Sequence, residues 1–142
     1  MLLVGRNILR FSILALCFFT FFIPNSAWAF QFSDTEIREM LTKVANTHSK
    51  SLPNILDSET TLEGISAGYE RNLIYRYKLN SITRNSEGFS HFKKLVSRKH
   101  KNNYCTTPKL SFYRKEGVGI DHNFYSYSGS FLFSVKTNTR DC

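Results

Sequence analysis

Apolar residues return at helical spacing after Ser33: Ile37, Met40, Leu41, Val44, and then His48. This recurrence predicts an amphipathic helix from about Asp34 to about Ser49. Its start is marked by a capping box, Ser33-Asp34-Thr35-Glu36, in which hydroxyl and carboxylate each satisfy an orphan backbone N–H. Phe32 and Ile37 occupy the positions of a hydrophobic staple around it. Leu52-Pro53 stops the helix, because proline disfavours helical geometry in the residue before it. After a polar bend at Asp57-Ser58 the period changes from helical to alternating. The stretch "TTLEGISAGYERNLIYRYKLN" reads as two strands joined by a turn at residues 68–72. In the second strand Leu73, Tyr75, Tyr77 and Leu79 alternate with Ile74, Arg76 and Lys78, giving one buried face and one wet face.

A second helix is predicted over "SEGFSHFKKLVSRKHKNN", with Ser86 as its cap and Phe89, Phe92, Leu95 and Val96 as its apolar stripe. Thr106-Thr107-Pro108 marks a break just after Cys105. A last hairpin follows. Val118, Ile120, His122 and Phe124 share a face of its first strand, and Phe131, Phe133 and Val135 share a face of its second, with Ser128-Gly129 in the turn. The order is α-β-β-α-β-β. The simplest architecture is an α+β domain, a four-stranded, mainly antiparallel sheet with both helices packed on one face.

The first thirty residues, "MLLVGRNILRFSILALCFFTFFIPNSAWAF", follow neither period. Two cations, Arg6 and Arg10, precede an apolar run over residues 11–23, and Ala27-Trp28-Ala29 follows Pro24. This is the layout of a secretory signal peptide, residues 1–29, leaving residues 30–142 as a single mature domain. The run is shorter than the roughly 18 apolar residues of a membrane span, so no transmembrane segment is expected in the mature form. The rival is an uncleaved N-terminal anchor. Leu16 before Cys17, with apolar residues continuing beyond, argues against lipidation, and Cys17 leaves with the signal. The expected location is the periplasm or the exterior. There, Cys105 and Cys142 make one disulfide, the alternatives being a free pair or a bridge between chains.

The stretch "LPNILDSETTLEGISAGYERNLIYRYKLN", the internal Cys105 and the closing "KEGVGIDHNFYSYSGSFLFSVKTNTRDC" resemble a group of small exported proteins of Gram-negative bacteria. That group carries a similar Leu-Pro, Asp-x-x-Thr, Ser-Ala-Gly and Tyr-x-Tyr run, then a central cysteine, a Gly-Val strand and a terminal Asp-Cys. The resemblance spans most of residues 52–142. It supports the element order and the Cys105–Cys142 bridge, and implies no activity. The chain departs from the group's pattern in a longer and more basic second helix.

Charge adds one feature to this picture. The 142-residue chain carries a formal net charge of +8, of which the leader arginines account for two. Lys93, Lys94, Arg98, Lys99 and Lys101 cluster in the second helix with His91 and His100 beside them, and no acid occurs over residues 88–115. With the apolar stripe inward, these cations form an exposed ridge suited to anionic lipid, lipopolysaccharide, nucleic acid or an acidic protein. The bland alternative is a solvated helix face that binds nothing in particular. Export and the lack of any nucleic-acid motif count against nucleic acid. Tyr75, Tyr77, Tyr125 and Tyr127 read first as core and cross-strand pairs, and second as a stacking surface.

Candidate catalytic chemistry is sparse. Asp121 and His122 are adjacent in a strand and point to opposite faces. His91 and His100 are not an i, i+4 metal pair, His48 ends the first helix, and Asp57 and Glu59 read as turn residues. No cofactor, metal site or catalytic residue is assigned. The expected function is a small exported, non-catalytic binding or accessory protein, whose partner is an anionic envelope component or another protein. The alternatives are a small secreted enzyme and an inhibitor or immunity-type protein. A deep pocket joining His122 to an acid favours the enzyme. An open aromatic sheet face favours protein binding, and a basic helix without a pocket favours an anionic surface. Cleavage after Ala29 predicts a mature chain beginning at Phe30. Intact-mass measurement on native material checks this, and a mass that includes residues 1–29 refutes it.

Overall fold

The computed structural model of the protein describes residues 32–142; the expected leader, with Cys17, lies outside the described residues. The first helix, α1 (Asp34–Ser49), begins with the expected capping box. Ser33 Oγ accepts from the Glu36 N–H at 3.3 Å, and the Glu36 carboxylate accepts from the Ser33 N–H at 2.8 Å. Ile37, Leu41 and Ala45 are buried against Leu73 and Val118, with Met40 and Val44 half-buried beside them. His48, placed on the same stripe by spacing alone, is exposed.

The strands are β1 (Asn54–Ile55), β2 (Thr60–Ala67), β3 (Asn72–Leu79), β4 (Gly119–Ser126) and β5 (Phe131–Thr137). They form one five-stranded mixed sheet in sequence order. The sheet is mainly antiparallel, as expected, but it departs from the expected four-stranded arrangement in two ways. The two-residue β1 adds an edge strand against Thr61 and Leu62 of β2. And β3 runs parallel to β4, while the other three pairings are antiparallel. The chain between β3 and β4 passes through α2 (Phe89–Thr106), a 3-10 turn (Pro108–Leu110) and α3 (Ser111–Lys115). A crossover of that length returns the chain to the same end of the sheet, as parallel neighbours require. Residue alternation is identical in either direction, so the local pattern could not distinguish them.

Leu73, Tyr75, Tyr77 and Leu79 of β3 stand beside Ile120, His122, Phe124 and Ser126 of β4 and share one inner face. Both long helices pack on it. The side chains of α1 meet Leu73, and Phe89, Phe92 and Val96 of α2 meet a cluster of Tyr77, Leu79, Phe124, Leu132, Phe133 and Val135. A register shift at Phe124/Tyr125 alters the expected face of β5. Phe131 pairs with Tyr125 and stays 45% exposed, whereas Leu132 and Phe133 are both buried. Gly129 supplies the positive φ of the hairpin turn at 80°.

The start of α2 also differs from expectation. Gly88, at φ 77°, occupies the N-cap position with no side-chain cap. The Ser86 hydroxyl instead accepts from the Thr83 N–H at 2.8 Å, shaping the preceding turn. Leu95 leaves the apolar stripe at 48% exposed, and His100 and Tyr104 take the inward positions one and two turns beyond Val96. Tyr104 is buried with its hydroxyl donating to the Val118 carbonyl at 2.7 Å.

The C-terminus is fastened to the end of α2. Cys105, in its last turn, is bonded to Cys142 with the Cα atoms 5.3 Å apart. Lys101, one turn earlier, meets the Asp141 carboxylate at 2.6 Å. Asp141 in turn accepts from the Asn138 N–H at 3.0 Å, closing a short 3-10 turn, Thr139–Asp141. The bridge spans 37 residues, worth about 4 kcal/mol in the chain-entropy picture. Cys142→Ser is expected to lower urea-melt stability by about 2–4 kcal/mol, and Cys105→Ser/Cys142→Ser by no more than either single change. Unchanged melts would show that α2 and the sheet hold the terminus without the bond.

Candidate functional site

Two surfaces and one buried cluster carry the chemistry of the molecule. The first surface is the outer side of α2. With about 100° per residue, Lys94, Arg98 and Lys101 lie opposite the sheet, and Lys93 and Lys99 flank them. All five are exposed. Among the described residues Lys93, Lys94, Arg98 and Lys99 form no ion pair, whereas Lys101 is engaged by Asp141. The hydrogen bond from Lys101 is the largest cause holding the Asp141 carboxyl below its usual value. Lys101 therefore serves the C-terminal attachment, and the free part of the ridge is the other four cations.

The second surface is the outer face of the sheet, on which none of the described helices packs. Strand register sets one row across all five strands: Ile55, Thr61, Lys78, Tyr125 and Phe131. Ile55 is 76% exposed, and Tyr127, just beyond the end of β4, is 73% exposed. The Arg76 guanidinium lies over the Tyr125 ring at 3.8 Å, and Tyr125 meets Phe131 edge-on at 5.6 Å. Lys78 sits 5.8 Å from the Tyr127 ring. Glu63, at the bulge in β2, holds both cations, at 2.9 Å from Lys78 and 3.6 Å from Arg76. Gly64 pairs with Arg76 just past the bulge. The four tyrosines thus divide: Tyr75 and Tyr77 are inward, and Tyr125 and Tyr127 are outward.

Beneath α2 lies a contact that the sequence pattern did not reveal. His100 and His122 stack with ring centroids 3.8 Å apart. Tyr75 and Tyr77 stack on His122 at 5.6 and 5.8 Å. The Tyr77 hydroxyl is 3.2 Å from His122 Nδ1, a hydrogen bond that either group can donate. Burial pushes the Tyr77 phenol well above its usual range, so it stays protonated. Alternation places His122 on an apolar strand face, whereas His100, grouped by sequence with the cations of the ridge, is turned inward. That the two rings meet required the strand order.

The other candidates resolve as structural. Asp121 points away from His122, accepts from the Asn72 amide at 2.9 Å and lies 3.9 Å from Lys136. Asp57 accepts from the Glu59 N–H at 2.9 Å, and the Glu59 carboxylate receives both the backbone N–H and the hydroxyl of Ser81. His91 is exposed on α2. Among the described residues no group of three or more His, Cys, Asp or Glu could hold a metal ion. The neighbours of His122 are aromatic rings, not an acid.

The histidine pair makes stability depend on pH. In the unfolded chain both rings titrate near 6.5. Burial, then Lys99, lowers His100 to about 4. Burial, then His100, lowers His122 to about 3. The folded chain therefore binds fewer protons between these values, and stability falls as pH drops through that window. Each ring contributes at most about 1.4 kcal/mol per pH unit, and less for the half-buried His100. The urea midpoint is expected to fall between about pH 7 and pH 4.5, with roughly half the slope lost in His122→Gln. A flat midpoint across this range would mean that the pair is not kept neutral by burial.

No protein-family model matches the chain, and no curated protein aligns with it significantly. Solved structures do share its fold. A protein from Pseudomonas aeruginosa, described provisionally as secreted, superposes with a TM-score of 0.66 at 17% identity, covering 77% of this chain and 95% of that one. EpsS, the pilotin of the type 2 secretion system of Vibrio vulnificus, gives 0.62 at 16% identity, covering 77% and 94%. AspS, the type II secretion system pilotin of Vibrio cholerae, gives 0.59 at 10% identity with the same coverage. At these identities the likeness is one of fold: this chain has the α+β architecture of two pilotins and of a protein described as secreted.

Proposed function

We propose that the protein is an exported, non-catalytic accessory protein that binds a protein partner through the outer face of its sheet. The observation that carries this reading is the set of exposed Ile55, Tyr127 and Phe131 around half-buried Tyr125, interleaved with Arg76 and Lys78. Aromatic and arginine side chains are the usual anchors of protein interfaces, since they bury large area at low entropy cost. The stack of Arg76 on Tyr125 fixes both groups in advance of binding. Lys78 and Arg76 share the single carboxylate of Glu63, which leaves the row a surplus cation for an acidic residue of the partner. The fold shared with pilotins supports an accessory role in an envelope assembly. The leader over residues 1–29 supports export, with residues 30–142 as the mature domain. No helix among the described residues is long and apolar enough to cross a membrane.

Cross-linking in the native envelope, followed by affinity capture, tests the reading. The unmodified protein is expected to retain a protein that Tyr127→Ser/Phe131→Ser binds at least about tenfold more weakly. Both positions are exposed, so circular dichroism of the variant should be unchanged. Lys94→Gln/Arg98→Gln, on α2, is expected to keep the same partner. Equal retention by the sheet-face variant, or no retained protein at all, overturns the proposal.

A further inference from the structure

The cations of α2 have no role in the sheet-face reading, and they lie on the other side of the molecule. The helix packs on the inner face of the sheet, so its ridge points away from Tyr125, Tyr127 and Phe131. Lys93, Lys94, Arg98 and Lys99 are exposed and form no ion pair among the described residues. Past the helix, Lys109 and Lys115 are exposed as well, and no acid interrupts residues 88–115. Arg114 alone in this stretch is drawn inward, donating to the carbonyls of Tyr104 and Thr107.

The distribution of these charges decides what kind of partner fits. Lys93 and Lys99 lie on opposite flanks of α2 and Lys94 and Arg98 lie between them, so the positive surface is broad and convex. The hollow at its C-terminal edge, lined by Arg98, Lys101, Asn102 and Asp141, is open and shallow, and Lys101 and Asp141 already engage each other there. The single large apolar feature of the surface is Leu95, 48% exposed, set between His91, Arg98 and Lys99 on adjoining turns. A convex cationic arc with one projecting leucine suits a plane of many negative groups above an apolar layer. Long lysine and arginine stems reach headgroup phosphates from several angles, and the leucine enters the interface between them. We propose that α2 is a docking surface for an anionic phospholipid bilayer, and that such docking turns the open sheet face away from the membrane towards its partner.

Vesicle co-sedimentation of the folded, disulfide-bonded protein tests this directly. The expected result is partition onto phosphatidylcholine vesicles that contain about 30% phosphatidylglycerol, weak partition onto phosphatidylcholine alone, and loss of the difference in high salt. Each exposed cation removed is expected to lower the partition coefficient about fivefold, so Lys94→Gln/Arg98→Gln loses about 25-fold. Lys136→Gln, on the outer face of the sheet, removes a charge from the wrong side and should change little. Leu95→Ser should weaken binding further without altering its salt dependence. Three results would overturn the proposal: equal binding to neutral and anionic vesicles, equal losses from Lys136→Gln and Lys94→Gln, or displacement from vesicles by polyglutamate at matched charge. The last would assign the ridge to an acidic protein. The salt titration of the unmodified chain needs no variant, and vesicle binding needs no protein partner. The outcome is therefore independent of the sheet-face experiment.

Discussion

The parallel pairing of β3 with β4 is the constraint on which the rest of the structure depends. It sets Leu73, Tyr75, Tyr77 and Leu79 level with Ile120, His122, Phe124 and Ser126, making one continuous inner face from strands that are far apart in sequence. Parallel neighbours need a crossover, and here the crossover carries α2. Once the helix lies on the inner face, beside the ground taken by α1, none of the described helices covers the outer face. One pairing thus decides where the core sits, where the cations point and which aromatic rings remain uncovered.

The core under α2 is less apolar than the core under α1. Below α1 the fully buried residues are aliphatic, Ile37, Leu41, Ala45, Leu73 and Val118, with aromatic rings only at the margin. Below α2 the centre is filled by Tyr75, Tyr77, His100 and His122, with Phe124 beside them. Neutral imidazole packs there as a flat ring, and the pair loses that quality once either ring gains a proton. Only Tyr104 of α2 is fully buried, so the helix is held by a thin layer of contacts. The Cys105–Cys142 bond and the Lys101–Asp141 ion pair fasten its far end and the chain terminus to each other. A helix attached in this way can expose most of its circumference and still keep a defined orientation.

The two surfaces that result differ in kind. The sheet face is flat, aromatic and partly neutralised by Glu63 and Asp121, and its side chains are already ordered by stacking. The α2 ridge is convex, cationic and largely unpaired. Ordered aromatic anchors favour a shaped protein surface, and exposed, unpaired cations favour a field of negative charge. Their placement on opposite sides of one sheet lets a small domain engage two kinds of neighbour at once.

Local physics made much of this legible in advance. The capping box placed the start of α1, because the cap depends on residues only three apart. Alternation separated the buried from the wet side of β3 and β4, because side-chain direction follows from the strand itself. The charge run located a basic ridge, since a helix with an apolar stripe must turn its cations outward. Other features depended on groups distant along the chain. The direction of β4 against β3, the short β1, the bulge that turned Phe131 outward, and the contact of His100 with His122 arise from pairing between segments. Spacing could not show that Lys101 is taken by Asp141, or that Leu95 lies off the buried stripe. The sequence by itself determined the elements and their amphipathic faces, which short-range sterics and hydrogen bonding specify. Tertiary structure alone decided which faces meet and which stay bare, because that choice follows from how the whole chain closes around one side of the sheet.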